Sequence, residues 1–107
     1  MRNQIHSHQF LDPGDKPAGG TTYGTGFCIS WQNGPLGRQP TRAEPNGAFV
    51  EDIIDAARDR LRFYQRSKFA CEENAQAIEY LTHALELLES RTRRRETAGV
   101  EGTHAGG

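Results

Sequence analysis

The stretch from Cys71 to Thr103, CEENAQAIEYLTHALELLESRTRRRETAGVEGT, constrains this chain most. Cys71, Ile78, Leu81, Leu85 and Leu88 recur at helical spacing, which lays them on one face of an amphipathic helix. Asn74 falls on that same face, where an apolar residue is expected. Beyond Leu88 the face continues as Arg91 and Arg95, an i,i+4 pair on nearly the same side. Such a helix packs by its middle and keeps an anion-binding end.

Composition sharpens that reading. At 107 residues the chain reads as a single domain, 1–107. Only 35% of residues are apolar and the mean hydropathy is -0.77, so a lone copy has a thin core and gains from sharing one with a partner. A homo-oligomer is expected. The net charge of -1 argues against bulk nucleic-acid binding, although Arg91, Arg93, Arg94 and Arg95 form a compact basic cluster. Two cysteines, Cys28 and Cys71, make no disulfide framework, and they read as buried free thiols in a reducing compartment. No apolar run approaches the ~20 residues that span a bilayer. MRNQIHSHQF lacks the apolar core of a signal peptide. The expectation is a soluble, intracellular chain.

In order, residues 1–22 read as a variable N-terminal strand or loop. Residues 1–10 suit an edge strand or a loose end, and Leu11–Thr22, LDPGDKPAGGTT, suits a turn-rich loop. Residues 23–45 form a β region. Phe27, Ile29 and Trp31 alternate with Cys28, Ser30 and Gln32, which predicts one strand over Tyr23–Gln32 with a large apolar face. Asn33-Gly34-Pro35 ends it, and a short strand around Leu36–Gln39 is a further option. Helix 1 is expected over 46–68, opened by Asn46 or Gly47, with Glu51 and Asp52 suiting the positive end of its dipole. Val50, Ile53, Ile54, Ala57, Leu61 and Tyr64 make its apolar stripe, and Asp55, Arg58, Asp59 and Arg62 its solvated face. Helix 2 follows over 69–95 and an ordered tail over 96–107. The fold class is therefore α+β: a small N-terminal antiparallel β-sheet, then a hairpin of two long α-helices and the tail.

In that hairpin Tyr64 ends one helix and Asn74 starts the next, so they can be close in space. Arg91 and Arg95 lie five to six turns away, about 30 Å. One chain cannot easily bring all four together, whereas two antiparallel copies can. Gly99 and Gly102 break the second helix, and the backbone around Gly102 with the hydroxyl of Thr103 suits a phosphate. Arginine offers phosphate a planar set of donors. Tyr64 can stack on a base, and Asn74 can read a base edge or a ribose. Together these parts suit a small nucleotide with a pyrophosphate. Each also has an ordinary structural reading: Tyr64 as core, Asn74 as a register device between helices, the two arginines as an offset to the helix dipole, and Trp31 as core or interface. The histidines, His6, His8, His83 and His104, show no metal spacing with cysteine, and His6-x-His8 is a weak metal signal, so no metal site is assigned. No nucleophile–base constellation, Walker loop or dinucleotide fingerprint is readable, and GTGF at Gly24–Phe27 lacks the helix such a loop needs. Catalysis is unsupported and no cofactor is expected.

Four segments together resemble a known family. GTGFCISWQNGPLGR (Gly24–Arg38), NGAFVEDIIDAARDRLRFYQ (Asn46–Gln65), ENAQAIEYLTHALELLESRTRRR (Glu73–Arg95) and GVEGTH (Gly99–His104) are similar to the phage Thoeris anti-defence sponges, which share a domain with anti-CBASS sponges. The likeness covers about Gly24 to His104 and leaves out the first twenty or so residues.

The resemblance implies a protein that binds glyco-cyclic ADP-ribose, the messenger of Thoeris immunity, and holds it undegraded in the cytoplasm of the infected bacterial host. It implies dimers, or hexamers built as trimers of dimers, with the messenger at protomer interfaces. The family's binding residues match Tyr64, Asn74, Arg91 and Arg95; Tyr64 is Phe in some relatives. Hexameric relatives carry a second pocket for cyclic di- or trinucleotides, for which Arg42 and Lys68 are the weak candidates here. Two rival readings are an enzyme that degrades cyclic nucleotides and a small helical regulator using RTRRR against DNA. Near-neutral charge and the lack of a helix-turn-helix pattern count against the latter.

Overall fold

The Gly- and Pro-rich first third folds as sheet rather than loop. A computed structural model describes residues 1–34, 36 and 44–97. Strands β1 (His6–Leu11), β2 (Pro17–Gly24) and β3 (Phe27–Trp31) form an antiparallel meander in the order β1-β2-β3. Leu11–Thr22, read as a loop, is a hairpin turn leading into most of β2. Asp12 builds the turn: its carboxylate accepts from the N–H groups of Gly14 at 2.8 Å and Lys16 at 3.0 Å. Glycine is needed within β2, because a Cβ on Gly20 would run into the carbonyl oxygen of His8 on β1. The single strand expected over Tyr23–Gln32 is also corrected. It folds back at Thr25-Gly26, with Gly26 at φ 87°, so Tyr23 pairs with Cys28.

β3 is where the sheet meets the helical half. Ser30 O accepts the Ala48 N–H at 2.7 Å, and Ala48 O accepts the Gln32 N–H at 2.9 Å, which makes Trp31 and Ala48 a parallel bridge. Asn46 clasps Asn33, accepting its N–H at 2.8 Å and donating to its carbonyl at 3.1 Å. Asn46 and Ala48 are thus spent on the sheet and its edge, and α1 (Val50–Gln65) starts later than expected. The Asp52 carboxylate accepts the N–H of Phe49 at 3.0 Å, the returning half of a capping box. The expected strand around Leu36–Gln39 falls mostly outside the described residues; Leu36 itself is buried and in no strand.

α2 (Glu72–Thr97) runs as one helix antiparallel to α1. A six-residue link joins them, clipped by Gln65, whose side chain donates to the Cys71 carbonyl at 3.1 Å and accepts the Cys71 N–H at 3.0 Å. Ile53, Ile54, Leu61, Ile78, Leu81, Leu85 and Leu88 are all half-buried between the helices. Arg58, expected on the solvated face, turns inward and donates to Thr82 Oγ1 at 3.2 Å and Asp55 Oδ1 at 2.8 Å. Val50 and Ala57, expected in the stripe, are exposed.

Among the described residues no side chain is fully buried, and only Leu36 and Thr22 fall to 8% exposure. Among the described residues no strand approaches either helix as closely as the two helices approach each other. Both cysteines are exposed, contrary to expectation. Cys28 stands on the sheet face that carries Tyr23 and His6, over which no helix packs, and Cys71 lies in the interhelical link.

Candidate functional site

The link between the helices gathers one half of the expected site. Tyr64 occupies the last turn of α1 and Asn74 the first turn of α2, so the hairpin carries both to the same end, each half-buried. Ser67 fastens this end by donating its hydroxyl to the Tyr64 carbonyl at 2.6 Å and accepting the Phe69 N–H at 3.1 Å. Lys68 sits at the tip, its Nζ 5.6 Å from the exposed Phe69 ring.

The other half lies elsewhere. α2 is unbroken from Asn74 through Arg95, and at a rise of 1.5 Å per residue it carries Arg91 about 26 Å and Arg95 about 32 Å from the Asn74 level. Arg91 is exposed and forms no ion pair among the described residues, while Arg95 is half-buried. Arg93 pairs with Glu89 at 3.1 Å. The four predicted residues are therefore split two and two within one chain. Gly102, Thr103 and Arg42 lie outside the described residues.

A groove of about 540 Å³ opens between the first half of α1 and the second half of α2. Among the described residues Glu51, Asp52, Asp55, Glu86 and Glu89 line it, with Arg58 the one lining cation. A diphosphate there would face five carboxylates, so like-charge repulsion removes it as a nucleotide site.

One cluster at the Tyr64 end was missed from sequence. Arg60 lays its guanidinium over two rings, with Cζ 4.8 Å from the Phe63 centroid and 5.0 Å from the Tyr64 centroid, and its Nε donates to Tyr64 Oη at 3.3 Å. Phe63 and Tyr64 lie 6.0 Å apart, tilted by 52°, and Phe63 is 47% exposed. The signal was the spacing: Arg60, Phe63 and Tyr64 stand at i, i+3 and i+4, which a helix places side by side.

On the sheet, His6 and His8 stack against Tyr23 at 5.2 and 6.4 Å. Among the described residues no group of three or more His, Cys, Asp or Glu side chains is placed to hold a metal ion. Trp31 is half-buried, its indole N–H donating at 2.8 Å to Thr22 Oγ1, which also bonds Ser7 Oγ at 2.9 Å. No helix among the described residues is long and apolar enough to cross a membrane.

No family model matches the chain. A curated protein named Thoeris anti-defense 1, from Bacillus phage SBSphiJ7, is 45% identical to it over 76 residues, which cover 71% of this chain and 51% of that protein. The chain thus spans about half the length of the curated relative it matches.

Proposed function

Because the chain belongs to the phage Thoeris anti-defence family, we propose that it blocks Thoeris immunity as a sponge, sequestering glyco-cyclic ADP-ribose in a pocket shared by two antiparallel copies. Tyr64 and Asn74 of one copy meet Arg91 and Arg95 of the other. Tyr64 stacks on the adenine, Asn74 orients the base or a ribose, and the arginines grip the diphosphate, with Gly102 and Thr103 closing over it. A sponge works by stoichiometry and slow release, so the messenger leaves as it arrived. The protein acts in the host cytoplasm, where the messenger accumulates.

The observation that carries this reading is a second stripe on α2. Ala77, Tyr80, Ala84 and Leu87 recur at steps of three and four, ending at Arg91. Ala77 and Ala84 are half-buried, while Tyr80 is 75% and Leu87 59% exposed. Large and small residues alternate along this stripe, the arrangement that lets two such faces interdigitate. With Tyr80 set against the partner's Ala84, Ala77 meets the partner's Leu87. The same register brings Asn74 level with the partner's Ser90, beside Arg91 and little more than a turn from Arg95. A symmetric dimer makes two such pockets.

Calorimetry tests it. The wild-type chain should bind the messenger tightly, and heat-denaturing the complex should return it intact. Hydrolysis products in the supernatant would instead establish an enzyme. The double variant Arg91→Ala/Arg95→Ala should lose affinity by about 10²- to 10⁴-fold; unchanged binding would overturn the pocket.

A further inference from the structure

Arg58 and Arg60 lie two residues apart on α1 and are used differently. Arg58 is committed to Asp55 and Thr82. Arg60 is exposed and has no carboxylate partner among the described residues; its guanidinium sits in the notch between the Phe63 and Tyr64 rings. The long 3.3 Å bond from its Nε to Tyr64 Oη leaves the remaining N–H donors of the guanidinium for another acceptor. A cation on an aromatic ledge offers an adenine nucleotide both things it needs, a π-face for the base and a donor fork for phosphate. Both cannot be offered in one rotamer, because the guanidinium lies over the ring on which a base would stack.

Resting on the pocket proposed above, we infer that Arg60 is a third arginine of that site: from its position over the Tyr64 ring it turns onto the ligand's diphosphate when the base takes that position. It comes from the same copy as Tyr64, so it grips the diphosphate opposite the Arg91 and Arg95 of the partner. The exchange trades a solvent-exposed cation–π contact for charge-assisted bonds to phosphate, the stronger of the two. Arg60 is also a specificity device, since a ligand that stacks without bringing an anion must displace it with nothing in return.

The test compares full-length wild type, Arg60→Ala and Arg60→Lys with two probes, glyco-cyclic ADP-ribose by calorimetry and uncharged adenosine by tyrosine shifts in NMR titration. Arg60→Ala should weaken the cyclic diphosphate about 10- to 100-fold while binding adenosine at least as well as wild type. Arg60→Lys, which keeps the charge and loses the planar fork, should fall between. If wild type binds the messenger and Arg60→Ala binds it equally, this inference fails and the shared pocket stands. If Arg60→Ala loses both probes in parallel, Arg60 only holds the rings in place and the inference fails. If wild type binds no messenger, the pocket itself falls and Arg60 with it.

Discussion

A pocket divided between two copies predicts complementation between two dead variants. Tyr64→Ala/Asn74→Ala destroys one corner and Arg91→Ala/Arg95→Ala the other. Each arginine contributes roughly 1.5–3 kcal/mol through charge-assisted bonds, so the arginine variant loses on the order of 3–6 kcal/mol, or about 10²- to 10⁴-fold. Co-expressed with different tags and purified through both, the two chains form a mixed dimer. One of its pockets then combines both damaged corners, and the other combines the intact Tyr64 and Asn74 of one chain with the intact arginines of its partner. Calorimetry should find wild-type affinity at half the wild-type stoichiometry, about one messenger per dimer. No rearrangement inside one chain can mimic this, because continuous α2 holds Asn74 and Arg91 about 26 Å apart. A mixed dimer that binds nothing, or a parent variant that binds like wild type on its own, would refute the shared pocket.

Two further outcomes probe the scaffold. Tyr80→Glu/Leu87→Glu places charges on the exposed second stripe, so light scattering should show the mass falling to the 11.9 kDa protomer, with messenger binding lost alongside; an unchanged mass would place the interface elsewhere. Gly47→Ala puts a Cβ 2.6 Å from the Trp31 carbonyl group and should destabilise the fold by about 1–3 kcal/mol, seen as a lower melting temperature, while the affinity of folded protein stays at the wild-type value.

The helical half was legible because its signal is local. Ile78, Leu81, Leu85 and Leu88 announce their face by spacing alone, and the split of Tyr64 and Asn74 from Arg91 and Arg95 follows from helix rise. The sheet was half legible. β3 shows its period-two pattern, but β2 carries Pro17, Gly19 and Gly20, which read as loop until the crowding of β1 against Gly20 explains the missing Cβ. The start of α1 was misplaced because Asn46 bonds Gln32 and Asn33 just past β3 and Ala48 bridges to Trp31, a long-range partnership that no local pattern encodes. Cys28 and Cys71 were misjudged for a related reason: apolar character sets a preference for burial, but a neighbour must exist to cover the site, and the described residues do not supply one.

That shortage of cover ties fold to function. Among the described residues no side chain is fully buried, and apolar faces left so open gain from cover by a partner. On the proposed reading the missing cover is a second copy, and the same contact that buries Tyr80 and Leu87 also assembles the pocket. Assembly and messenger binding are then linked. A ligand that touches both copies favours the paired state over the separate one by its differential affinity, and by reciprocity pairing raises affinity for the ligand. A rigid preformed cavity in one chain would need no such coupling. For a sponge the coupling is useful, because a loaded dimer must give up contacts to two chains before the messenger escapes, and slow release is what keeps the signal from its effector.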